Sequence, residues 1–161
     1  MRILFLGDVV GISGCSKLTS SLLSEIKSRK IDFVIANGEN AAAQGVGLTE
    51  EICKDFYNCG VNVITTGNHV WDQKEIMKYI EKEERLLRPK NLFEPAPGRG
   101  FQIFKTDKNI RVGVLNLMGN VFMKKCEDVF ETSKKFLSEY KLKDDYDLLV
   151  VDFHGEITSE K

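Results

Sequence analysis

The chain has 161 residues, 42% of them hydrophobic and 29% charged, with 23 Lys or Arg against 24 Asp or Glu for a formal net charge of -1. That is the size of one ordinary domain with enough apolar material to bury a core, so disordered and fibrous classes are excluded. Near-neutral charge without a long run of one sign argues against a strong nucleic-acid-binding patch.

The opening residues, MRILFLGDVVG, lack the basic start and long apolar stretch of a secretory signal, and no segment approaches the length that spans a bilayer. Cys15, Cys53, Cys59 and Cys126 form no CxxC pair, which fits a reduced compartment, and the expected location is the cytoplasm. Ile3 to Leu6 reads as a buried strand, and Leu18, Leu22, Leu23 and Ile26 form the stripe of an amphipathic helix after it. Phe33 to Ala36 is a second strand. A second helix follows over Glu50 to Cys59, with Thr49 as its cap and Gly60 at its end. Val61 to Thr65 is a third strand, and Asp72 with Glu75 resembles a capping box for a third helix carrying Ile76, Met77 and Ile80.

All three prolines, Pro89, Pro95 and Pro97, fall between Arg85 and Gly100, where an ordered loop over the sheet is expected. Strands resume at Phe101 to Phe104 and Val112 to Leu117. Val129, Ser133, Phe136, Leu137 and Tyr140 share one face of another helix, and Leu148 to Val151 is a last buried strand. Alternation of short apolar runs with helix-period segments predicts an α/β fold, a mainly parallel sheet flanked by helices, over a single domain spanning 1–161. The strand near Leu148 to Val151 leaves an edge open to self-association, so a homo-oligomer is among the expected partners.

Polar residues follow four of these strands: Gly7-Asp8, Asn37-Gly38-Glu39-Asn40, Gly67-Asn68-His69 and Asp152-Phe153-His154. In a parallel sheet such positions share the carboxyl edge, where open α/β sheets bind ligands. Among them are both histidines of the chain. Oxygen and imidazole donors without thiolate suit Mn, Fe or Zn. A pair of such ions about 3.5–4 Å apart is what hydrolysis of a phosphate ester asks for.

These four blocks, in order and each after a strand, resemble the motifs of calcineurin-like metallophosphoesterases, and more narrowly of the bacterial YmdB-type branch. The resemblance implies a partial αββα sandwich and metal-dependent hydrolysis of a phosphodiester, with a 2′,3′-cyclic nucleotide as the small substrate. It implies two divalent or mixed-valence transition-metal ions, Fe or Mn before Zn. By motif, Asp8 and Asn40 would bind the first ion, Glu39 would bridge, Asn68 and His154 would bind the second, and His69 would donate the proton. The family pattern continues beyond residue 161 into a further strand and a GTHTH-like block with two more histidine ligands, so the domain is expected to be incomplete at its C-terminus.

Taken singly, each block has a plainer reading. Gly7-Asp8 is an ordinary turn, His69 a helix cap or a stacking partner of Trp71, and Asp152 and Glu156 structural carboxylates, with Asp152 on the same strand face as His154. The alternative function is a catalytically weak or inactive domain that keeps the fold and binds metal or phosphate. A receiver-like module using Asp8 alone leaves the histidines unexplained.

Overall fold

The computed structural model describes residues 1–93 and 95–161. In chain order the elements are β1 (Ile3–Leu6), α1 (Gly11–Arg29), β2 (Phe33–Asn37), α2 (Glu50–Asn58), β3 (Val63–Thr65), α3 (Ile76–Tyr79), β4 (Phe101–Lys105), β5 (Arg111–Met118), α4 (Val129–Glu139) and β6 (Leu148–His154). The strands form two sheets of three, not one. The first, ordered β1-β2-β3, is wholly parallel, and the second, ordered β4-β5-β6, pairs β5 with β6 in parallel and β4 with β5 antiparallel.

Successive residues of a strand face opposite sides, and β2 shows what each side covers. Phe33 and Ile35 join Val63 of β3 and Val112 and Val114 of β5 in a core between the sheets. Val34 and Ala36 point the other way, onto Leu18 and Leu22 of α1 and Cys53 and Phe56 of α2. Every residue of β2 is buried, which is why it reads as an unbroken apolar run. On the far side, Leu115 and Leu117 of β5 pack with Phe136 of α4 and with Tyr146, and Phe101 meets Phe136 edge-on at 4.6 Å between centroids. The layers are therefore helix, sheet, sheet, helix.

The caps decide where the helices stop. Thr49 Oγ1 accepts the Ile52 N–H at 3.3 Å, Glu50 and Glu51 complement the positive end of α2, and Gly60 at φ +106 carries the chain away from its C-terminus. α3 is only one turn, Ile76–Tyr79, and no side chain caps it. The capping box expected of Asp72 and Glu75 does not form, because the Asp72 carboxylate is engaged by His69. Met77 and Leu137, expected on buried helix faces, are exposed, whereas Ile76 and Phe136 carry the packing.

Within the stretch from Arg85 to Gly100, the described residues 85–93 and 95–100 are held in place by hydrogen bonds, as the strand-like flanks suggest. Ile64 N–H donates to Arg85 O and Leu87 N–H to Ile64 O, each at 2.8 Å, so Leu86 and Leu87 extend the first sheet and are fully buried. The Arg88 guanidinium holds the carbonyls of Pro89, Lys90, Ala96 and Pro97 from within. Among the described residues no helix is long and apolar enough to cross a membrane.

Candidate metal centre

Each sheet delivers part of the site. β1 ends at Leu6 and the chain turns through Asp8, whose φ of +31 is rare for a residue with a side chain; Val9 N–H then donates to Asn37 O at 2.9 Å. β2 ends at Asn37, Gly38 N–H bonds to Thr65 O at 3.0 Å, and Glu39 follows, fully buried, with its N–H on Asn37 Oδ1 at 3.2 Å. After β3, Thr66 N–H donates to Asn116 Oδ1 at 2.9 Å, which pins the end of the first sheet to β5 of the second. A methyl group on Gly67 would collide with the Glu39 carboxylate and the His154 ring, so only glycine lets these three segments close up. β6 runs on through Asp152 and His154 where the sequence suggested an end at Val151. The alternation of the strand then puts Asp152 and His154 on one face.

The five residues expected to hold metal form one connected line. Asn40 Nδ2 lies 3.1 and 3.2 Å from the Asp8 oxygens and 3.3 Å from Glu39 Oε1. Glu39 Oε1 is 3.1 Å from His154 Nε2, and that nitrogen is 2.7 Å from Asn68 Oδ1. Asp8 to Asn68 thus converge from four separated segments at the end of the sandwich where both sheets finish.

Burial sets their charge. Loss of water pushes the Glu39 carboxyl up to about 7, helped by the nearby Asp8 charge and opposed by the His69 backbone N–H, 3.5 Å from Oε2. Burial also holds His154 below the usual histidine value, against the pull of Asp152 and Glu156. A metal ligand requires a neutral imidazole, and the Nε2–H that here donates to the two oxygens would give up its proton to an ion bound between them.

The donor set fits divalent ions. Asn40 Oδ1 is buried without a hydrogen-bond partner, and an unsatisfied buried oxygen costs stability unless something positive meets it. Among the described residues no group of three or more His, Cys, Asp or Glu side chains is arranged to hold an ion alone. An ion held here would have to draw on the amide oxygens of Asn40 and Asn68 as well.

His69 sits at the margin. Its Nδ1 is 2.6 Å from Asp72 Oδ2, and Lys124 Nζ lies 3.6 Å from the other oxygen of Asp72. The imidazole does not cap α3, whose N-cap is Glu75. Asp72 was legible only as a helix start, although a carboxylate three residues after a histidine is itself a signal.

Sequence reasoning also missed the amides beneath the site. Asn37 Nδ2 donates to Asp152 Oδ2 at 3.0 Å, and Asn116 Nδ2 reaches Asp152 O at 3.4 Å; all three residues are buried. Asparagines within apolar strand runs were the available sign. Arg99 pairs with Glu84 at 2.9 Å, away from the centre.

A family model described as "YmdB-like protein" matches residues 4–161. The chain is 40% identical over its full length to a 2′,3′-cyclic-nucleotide 2′-phosphodiesterase of Bacillus subtilis, and spans 60% of that protein. Among solved structures, a hypothetical protein from Thermus thermophilus is 37% identical with a TM-score of 0.90, the match covering 100% of this chain and 60% of the other. A novel phosphatase from Mycoplasma pneumoniae is 33% identical with a TM-score of 0.87, covering 99% and 57%.

Proposed function

Because the chain belongs to the YmdB-like family, we propose that its converging residues hold two transition-metal ions and that it hydrolyses a phosphodiester, best a 2′,3′-cyclic nucleotide. The observation that carries this reading is the connected line Asp8, Asn40, Glu39, His154, Asn68, built around the fully buried Glu39 with Asp8 at its solvent end, together with the buried, unpaired carbonyl oxygen of Asn40. The substrate class follows the relative from Bacillus subtilis, whose name states it.

Asp8 and Asn40 serve the first ion, Asn68 and His154 the second, and Glu39 both. Two carboxylates against two dications leave the site positive, which favours a phosphodiester anion. The donors suit Fe or Mn, with Zn also accommodated. When bound, such a pair supplies a water with pKa near about 7 as nucleophile and neutralises phosphate charge.

The chain's own residues do the rest. Asp72 accepts from Nδ1 of His69 at 2.6 Å, which fixes the ring and leaves Nε2 to carry the proton given to the departing ribose oxygen. Glu39 has no exposure to solvent, and the missing side chain at Gly67 lets its carboxylate and the His154 ring approach each other. All four cysteines are free, which suits a cytoplasmic enzyme.

Metal analysis combined with hydrolysis of 2′,3′-cyclic AMP tests the proposal. Two ions per chain are expected, with Glu39→Ala losing both and Asn68→Ala mainly one. Retention of two ions by Glu39→Ala would sink the bridging role. A second reading, a weakly active domain that binds metal or phosphate, draws on the single imidazole in the cluster; the chain spans 57% to 60% of the length of the curated relatives it matches. It expects fewer than two ions and negligible turnover in the same assay.

A further inference from the structure

Beside the candidate centre, the loop that leaves β5 presents a large apolar side chain to solvent. Phe122 is 87% exposed and Val121 is 37% exposed. Phe122 also has a φ of +62, a left-handed conformation that bulky residues avoid. Exposure of this kind contributes nothing to a core, and the backbone conformation opposes it.

The turn that carries Phe122 is nevertheless held firmly. Met123 N–H closes on Asn120 O at 3.4 Å, placing Phe122 at the apex. The Glu160 carboxylate accepts the N–H groups of Asn120 and Val121 at 2.6 and 3.2 Å, and Asn120 Oδ1 accepts Cys126 N–H at 2.8 Å. Gly119 N–H donates to His154 O at 2.9 Å, so the turn starts from the backbone of a candidate metal ligand.

Its far side reaches the proton donor. Lys124, two residues past Phe122, lies 3.6 Å from Asp72 Oδ1, and the other oxygen of Asp72 holds His69. The loop therefore flanks the His69 side of the site. In a 2′,3′-cyclic nucleotide the departing oxygen belongs to the ribose, and the base is attached to that same ribose. The base therefore stands within one sugar ring of the oxygen at His69, and this loop borders that side of the site through Lys124 and Asp72.

We propose that Phe122 is a specificity-determining residue, the platform on which the nucleobase of the substrate stacks while Lys124 stands on the phosphate-bearing side of the ribose. This rests on the phosphodiesterase reading of the site. Aromatic stacking accepts any base, since every base has a π face, and removing one such ring weakens binding by roughly 5- to 100-fold.

Calorimetric binding to the Mn-loaded chain, with adenosine 3′-monophosphate and inorganic phosphate as probes, tests the inference. Phe122→Ala should weaken the nucleotide by that factor and leave phosphate unchanged, and Phe122→Trp should restore nucleotide binding. Because the side chain is exposed, thermal unfolding of both variants should match the parent. Equal affinity of the parent for the two probes, or parallel loss of both in Phe122→Ala, would overturn the stacking role while leaving the metal site standing. Failure of the parent to bind either probe would overturn the phosphodiesterase reading, and the stacking role with it.

Discussion

Asn37 and Asp152 join the two sheets directly beneath the candidate centre, the amide Nδ2 donating to the carboxylate Oδ2 at 3.0 Å with both residues buried. The same amide accepts the Glu39 N–H through its oxygen, and Asp152 lies two residues before His154 on one strand face. One side chain thus sets the spacing between a carboxylate from the first sheet and an imidazole from the second. Asn37→Ala should cost about 1–3 kcal/mol, since it leaves a buried acceptor unmet, and should weaken metal binding as well. Urea unfolding and metal titration check both effects. An unchanged midpoint would show that water replaces the amide without loss.

The pairing of His69 with Asp72 separates proton transfer from metal binding. His69→Ala should slow hydrolysis of substrates with poor leaving groups by roughly 10²–10⁴-fold, the usual range for a general acid, with metal content unchanged. Asp72→Asn should reduce the rate less, because it misorients the donor without removing it. The check is the dependence of rate on leaving-group pKa, which should steepen in both variants. Equal losses on nitrophenyl and alkyl esters would remove His69 from this role.

Much of the arrangement is legible in the residues, for identifiable reasons. Apolar runs such as Phe33 to Ala36 announce strands covered on both faces, and the polar blocks that follow them mark the end where the site lies. The division into two sheets is legible only through the family resemblance, which implies an αββα sandwich; the residues alone do not show it, because an apolar run carries no label for its partner. Asp72 misled because an acid three residues before Glu75 fits a capping box, yet it lies equally close to His69 and bonds it instead. Leu137 shares a helical stripe with Phe136, but the ring of Phe136 fills the space against Phe101 and Tyr140 and leaves Leu137 outside. Asn37 and Asn116 stood out only as asparagines in apolar runs, since a buried amide declares its purpose only when its partner from another sheet is known.

Glu39 should make the metal-free chain sensitive to pH in a particular window. Its folded value, about 7, lies above the ordinary 4.5, so the protonated carboxyl is the form the fold favours. That contribution is complete below about pH 4.5 and is lost as pH rises to about 7. At about 1.4 kcal/mol for each pH unit between the two values, the loss is on the order of 3 kcal/mol. Glu39→Gln should flatten this part of the profile, seen as the difference between the two unfolding curves. Added Mn should reverse the trend, because an ion competes with the proton and stabilises the ionised form. A parent profile parallel to that of Glu39→Gln would mean that water reaches the carboxylate.

Gly67 gives the most selective test of the site, because the cause of its smallness lies in the site itself. A Cβ there meets the Glu39 carboxylate and the His154 ring before anything else, whereas the strand end just before it is secured independently by Thr66, whose N–H is on Asn116 Oδ1 and whose hydroxyl is on Leu87 O, each at 2.9 Å. Gly67→Ala should therefore leave the four layers intact and spread the two facing ligands. Overpacking at a buried position typically costs about 1–3 kcal/mol, but here the strain falls on a carboxylate and an imidazole that can rotate aside, which relieves it at the expense of ion binding. The expected outcome is a circular dichroism spectrum like the parent's, a modest drop in melting temperature, and a metal content well below that of the parent at equal free Mn. Full metal content in a folded Gly67→Ala chain would mean that Glu39 and His154 do not meet over this residue when ions are bound.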